Sequence, residues 1–279
     1  MNESSSTPRL FRFGAMVDPR TPASWPETAR RAERFGFSTL VIPDGMQLPS
    51  PFVSLALIAG ATNALHVGTF VVSAALRPPA LAAWDAHSLS VLTGGRFEFG
   101  IGTGHPGTVH DAVERVGLPP STGRERLARV ADTVSRLRAL DGDSHTPVLM
   151  AAGGPRSIAL AARTADIVTL AVGPSAGRDE AARFAHRLRQ ASRDEGRSPE
   201  LAHNIFVIGS EVPEWMERSF GLDARTLIAN ESLAMLRGSE DAMADELQRR
   251  RDELGISYVI VNALFMDQIA PVVAELAGR

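Results

Sequence analysis

Phe97-Glu98-Phe99-Gly100-Ile101-Gly102-Thr103-Gly104 begins with the apolar alternation of a half-buried strand and runs out in glycines. Its place in the chain decides the fold. It is the fourth of eight short apolar or alternating runs, and amphipathic helical segments lie between them, which is the pattern of successive βαβ units around a parallel sheet. An open doubly wound sheet would normally have fewer strands and one glycine fingerprint at its first turn. Here the glycines follow the fourth and fifth runs. The expected fold is therefore α/β, a (β/α)8 TIM barrel.

Working outward, the runs before it fall at residues 11–17, 39–44 and 66–72, with helices expected over 24–35, 51–62 and 80–92. Gly36 stands where a C-terminal glycine closes the first helix. After it come an Arg-rich helix over 124–140, a run at 147–152, a short helix over 155–163, a run at 167–172 and a charged helix from 178 to about 195. Runs at 204–209 and 257–262, with a helix over 240–254 before the last, complete the set. Residues 211–237 are less regular and read as an insertion of short helices, and residues 1–8 as disordered. The 279 residues are expected to form one domain, since such barrels occupy about 250 residues.

Composition narrows the chemistry. A net charge of −3 supplies no positive field for nucleic acid or an anionic membrane, so a small organic molecule is the expected partner. The first residues lack a basic start followed by an apolar run, and nowhere do about eighteen apolar residues occur together, so a cytoplasmic chain with no membrane association is expected. No cysteine is present, which excludes disulfides, thiolate catalysis and cysteine-held metals. Nor is there a lysine, so Schiff-base chemistry is excluded too. None of the seven histidines has a metal-binding spacing, and no metal is expected. His, carboxylates, Arg or a cofactor must do the work.

In such barrels the active site lies at the C-terminal ends of the strands. Asp44, ending the second run, either accepts hydrogen bonds from a cofactor ring or makes an ordinary cap or turn. Ser73 and Ala74, small residues ending the third, allow a bulge beneath a ligand, while Arg77 and the prolines after it can simply fix the loop. Gly102, Thr103 and Gly104 let backbone approach a flat ring, or serve a tight turn. Gly153, Gly154, Pro155 and Arg156 put two glycines and a first-turn proline at a helix start, a geometry for phosphate as well as for a plain βα turn. His105 follows the glycine run, where an imidazole could exchange protons, with His110 as the alternative and a solvated loop role open for both.

Taken together, these segments resemble the luciferase-like monooxygenase superfamily, in particular its actinobacterial branch that uses the deazaflavin coenzyme F420. The resemblance runs nearly end to end. It covers 29–37 leading to Val41-Ile42-Pro43-Asp44, then 67–72 with Arg77-Pro78-Pro79, the most specific stretch at 92–104, Gly153-Gly154-Pro155-Arg156, 161–168 and Gly255-Ile256-Ser257-Tyr258. It implies a ring system across Asp44, Ser73-Ala74 and Gly102-Thr103-Gly104 with its phosphate at Gly153 to Arg156. It also implies a non-proline cis peptide near Val72-Ser73-Ala74. The chain departs from the family where Gly45 follows Asp44 in place of a common His, where Pro78 breaks a common Arg-His-Pro, and where only 141–146 joins the fourth helix to the fifth strand.

The resemblance implies a coenzyme F420-dependent oxidoreductase that moves hydride to or from a small organic substrate. Two alternatives are a monooxygenase using reduced FMN and a flavin-binding barrel without turnover, the latter encouraged by Gly45 and Pro78. His105 stands where related enzymes often carry a proton-exchanging glutamate and is the candidate catalytic residue. A homodimer is expected, because family members commonly pair through first-half helices, and here 51–62 and 80–92 are apolar on more than one face.

Overall fold

A computed structural model describes residues 9–17 and 21–279; the expectation for residues 1–8 lies outside the described residues. Eight parallel strands close into a barrel: β1 (Arg12–Met16), β2 (Thr39–Ile42), β3 (His66–Thr69), β4 (Phe97–Gly102), β5 (Val148–Ala152), β6 (Ile167–Leu170), β7 (Glu200–Ile205) and β8 (Ile256–Asn262). They pair in chain order, and β8 returns to β1. The outer helices are α1 (Trp25–Arg34), α2 (Pro51–Ala59), α3 (Pro79–Leu92), α4 (Gly123–Asp141), α5 (Pro155–Thr164), α6 (Arg178–Asp194), α7 (Glu240–Leu254) and α8 (Met266–Leu276). This is the expected (β/α)8 barrel.

Strand periodicity sorts the side chains into two cores. On β4, Phe97, Phe99 and Ile101 join the large outer core under the helices. Glu98, Gly100 and Gly102 alternate with them and face the axis. Gly100 admits no side chain, since a Cβ there would lie 1.8 Å from the Thr69 carbonyl oxygen. The inner core is Val41, Leu149, Ile167, Ala202, Tyr258 and Ile260.

Below it, at the N-terminal end of the barrel, Arg12 ties the strands together. Its guanidinium lies 2.6 Å from Glu98 and 2.8 Å from Glu200, and 3.5 Å above the Tyr258 ring centre. Burial opposes the charge on Arg12, but Tyr258, Glu98 and Glu200 outweigh it and push its pKa up. Burial, and then Glu98, push the Tyr258 hydroxyl well above its ordinary value. Removing one partner from such a buried network typically costs about 3–5 kcal/mol.

Three elements differ from the sequence reading, the first being the final helix α8, which that reading lacks. The seventh strand is Glu200–Ile205 rather than 204–209, because Arg12 on β1, one strand removed, neutralises its first residue and makes a polar start tolerable. The next residues, Val207–Ile208, leave the barrel to pair with Met235–Leu236. The expected non-proline cis peptide is present as Phe70–Val71, directly before Val72-Ser73-Ala74. Strand β3 stops at Thr69, whose hydroxyl bonds both the N–H and the C=O of Gly100, and Val72–Ser73 resumes pairing against Ile101–Gly102, so the chain is redirected between them. Finally, the loop after β4 contains a helix, Pro106–Glu114.

Between β7 and α7 lie two short helices, Glu214–Phe220 and Ala224–Ala229. Their packing leaves a cavity of about 430 Å³ outside the barrel, lined by Leu227, Met235 and paired arginines. Arg250 donates to the carbonyls of Leu233 and Met235, and Arg178 binds Glu246. Arg250 thus ties the insertion to α7, and the Arg178–Glu246 pair ties α6 to α7.

Candidate functional site

The C-terminal ends of β1 to β4 build a floor and a rim. Met16, Phe70 and Val71 are half-buried and pack onto the inner core, forming an apolar floor. Asp44, just beyond β2, reaches across to the β3 extension. It accepts from the Ser73 N–H at 3.1 Å and from Arg77 at 2.9 Å, and its side chain is 2% exposed. Its carboxylate therefore positions the rim, and little of it is open to a ring.

Ser73, Ala74, Gly102, Thr103 and Gly104 come together. The Ala74 N–H donates to the Gly102 carbonyl at 3.0 Å. Gly104 has φ +92°, and a Cβ there would lie 2.4 Å from Ser73 Oγ. A Cβ on Gly102 would lie 3.0 Å from Val71 and 3.2 Å from Ala151, so a side chain would fill the space over the floor. Two arginines of α4 that sequence reading passed over brace the rim from behind. Arg126 donates to the Thr103 carbonyl at 2.9 Å and Arg129 to that of Ala74 at 3.5 Å.

The second half lies one strand further round. Gly153, Gly154, Pro155 and Arg156 are exposed where β5 turns into α5. The Gly153 and Gly154 N–H groups both point at one oxygen, Ser157 Oγ, each at 3.1 Å. Ser157 Oγ in turn donates to the Gly154 carbonyl at 2.9 Å, which makes this a capping box at the helix N-terminus, the end of a helix that favours negative charge. Gly153 must be glycine, since a Cβ would stand 2.6 Å from the Ala171 carbonyl oxygen.

His105 caps the helix Pro106–Glu114. Its Nδ1 accepts from the Gly107 N–H at 3.3 Å, which leaves the ring proton on Nε2 in the neutral form. The ring is exposed and stands edge-on to Phe220, with centroids 6.4 Å apart. Phe220 in turn meets Phe206 at 6.0 Å. His110 is exposed on the same helix, one and a half turns on. After Asp44, the gap left by Gly45 is covered by the amide of Gln47, 2.6 Å from where a Cβ would stand. Among the described residues no group of His, Asp and Glu is arranged to hold a metal ion, and no helix is long and apolar enough to cross a membrane.

The class these elements define is an eight-stranded parallel α/β barrel with an apolar floor, a glycine rim and a capped helix N-terminus at its strand ends. The chain belongs to the luciferase-like monooxygenase family, whose model matches residues 9–255. It is 32% identical to a 4-hydroxyprotoasukamycin monooxygenase of Streptomyces nodosus subsp. asukaensis over 145 residues, 47% of this chain and 38% of that protein. It is 28% identical to an F420-dependent glucose-6-phosphate dehydrogenase of Beutenbergia cavernae over 166 residues, 48% of each chain. The matches thus span half or less of these relatives' length. In fold it is similar to an F420-dependent secondary alcohol dehydrogenase solved with an F420-acetone adduct, at TM-score 0.77 and 17% identity, covering 95% of this chain and 99% of that one.

Proposed function

We propose that this chain is an oxidoreductase that binds coenzyme F420 at the barrel mouth and, with it, moves hydride to or from a small organic substrate. The observation that carries this reading is the continuity of the site. An apolar floor of Met16, Phe70 and Val71 and a glycine rim at Gly102 and Gly104 lead on the adjacent strand to two amides converging on one oxygen. A flat ring fits the first part, and its phosphate fits the second. The bound cofactor supplies the redox chemistry, and the chain's residues bind, orient and exchange protons. Ser73, Ala74, Gly102, Thr103 and Gly104 would hold the ring region with Asp44 anchoring them from behind, Gly153 to Arg156 would hold the phosphate, and His105 as imidazolium would supply the proton.

The F420-dependent relative favours the deazaflavin, while the monooxygenase relative keeps reduced FMN as the second reading. Equilibrium titration of purified chain with F420 and with FMN decides between them. Tight FMN binding without affinity for F420 removes the first reading, and oxygen consumption with reduced FMN then establishes the second. We also propose a homodimer and a cytoplasmic location.

A further inference from the structure

The structure assigns the substrate half of the mouth to the end of β7 and the inserted helix after it, and the chemistry there points to an uncharged, ring-bearing molecule that carries one hydroxyl or carbonyl oxygen. This rests on the cofactor lying over β2 to β5, as proposed above.

Asn204 is the first observation. On β7, Leu201 and Ile205 belong to the outer core and Ala202 to the inner one, so Asn204 shares the inward face with Ala202, one step nearer the mouth. It is 9% exposed, and its Oδ1 is buried with no hydrogen-bond partner. A buried acceptor without a partner is costly, and native structures keep such groups where a ligand or water satisfies them. An amide presents both a donor and an acceptor, so it suits a hydroxyl or a carbonyl equally.

The second observation is an aromatic arch that starts from Phe206, two residues beyond Asn204. β4 and β7 are separated around the barrel by β5 and β6, yet His105 from the end of β4 touches Phe220 from the insertion, and Phe220 touches Phe206 beyond the end of β7. These side chains therefore span the mouth over the ends of β5 and β6. Phe206 and Phe220 contribute apolar aromatic rings, which favours a planar or apolar body through edge-to-face contact. Pockets of this type combine apolar walls with a single well-placed polar group that sets orientation and specificity. Phe220 and Asn204 are then specificity residues, one for the body of the substrate and one for its oxygen.

The test uses 1-phenylethanol and its ketone acetophenone as probes, with glucose 6-phosphate as the charged comparison. Binding is followed by ligand-observed NMR on the full chain, with and without F420. The expected result is saturation by the alcohol or the ketone at concentrations at least tenfold below any effect of glucose 6-phosphate. Phe220→Ala, at a half-exposed position, should weaken that binding at least fivefold, and Asn204→Leu about tenfold, with the F420 titration unchanged in both. If F420 fails to bind while Phe220→Ala still weakens the alcohol, the cofactor reading falls and the pocket stands. Unchanged probe binding in both variants, or glucose 6-phosphate binding as tightly as the alcohol, overturns the inference.

Discussion

Arg77 clasps Asp44: Nη2 lies 2.9 Å from Oδ1 and Nε 3.4 Å from Oδ2, and that second oxygen also takes the Ser73 N–H. One carboxylate thus joins the end of β2 to the segment that carries the rim. Asp44→Ala should leave the Ser73 amide and the half-buried guanidinium without a partner, a loss of about 1–3 kcal/mol. It should also weaken F420 binding, because the rim loses its anchor. Urea unfolding and the cofactor titration check the two effects separately. A variant of normal stability and normal affinity would show that the pair is incidental.

His105→Ala should lower turnover by about 10²–10⁴, the usual loss on removing a general acid, while cofactor affinity stays near that of the unmodified chain. To act as the acid the ring must be an imidazolium, so Nδ1 gives up the Gly107 N–H and both nitrogens carry protons before one is transferred. Steady-state kinetics with a known substrate, together with the F420 titration, provides the check. Full turnover in the variant transfers the role to His110 or to water.

The face formed by α2 and α3 leaves Val53, Leu57, Leu81, Trp84, Val91 and Leu92 exposed, from 52% to 80% of each residue. So much apolar surface on adjoining helices needs a cover. A second copy of the chain is expected there, and Trp84→Glu with Leu57→Glu should shift light-scattering mass from two chains to one at micromolar concentration. A single-chain mass for the unmodified protein ends the dimer proposal.

Burial, and then Arg250, push His203 down to about 3. In the unfolded chain the same imidazole takes a proton near 6.5. Between those values the unfolded state binds more protons than the folded one, so stability falls as the pH drops, by up to about 1.4 kcal/mol per pH unit from this residue. Above about 6.5 it contributes nothing to the slope. His203→Leu should therefore lose less stability between pH 7 and pH 5 than the unmodified chain, measured by urea unfolding at both values. Equal losses would mean that His203 is not held neutral.

The sequence carried the eight-fold alternation because most strands bury alternating apolar residues, and β4 with its glycines was legible as a whole. β7 was not. Its Glu200, His203 and Asn204 break the apolar pattern, and the group that makes Glu200 tolerable, Arg12, is 188 residues away. The helix Pro106–Glu114 was hidden by a Pro-Gly start that reads as a turn. At the site, the glycines at 102–104 and the turn Gly153-Gly154-Pro155-Arg156 follow from local backbone needs and could be read in the chain. The Arg77 clasp, the Arg126 and Arg129 braces and the His105–Phe220 contact join residues distant in sequence, and no local pattern announces them.

The salt-bridged layer of Arg12, Glu98 and Glu200, with Tyr258 packed above it, closes the barrel at the end opposite the mouth. The inner core above that layer is packed, so a site at the strand ends opens on one side only. Under the function proposed above, product and incoming substrate would share that one passage, and release would weigh on turnover as much as the chemistry.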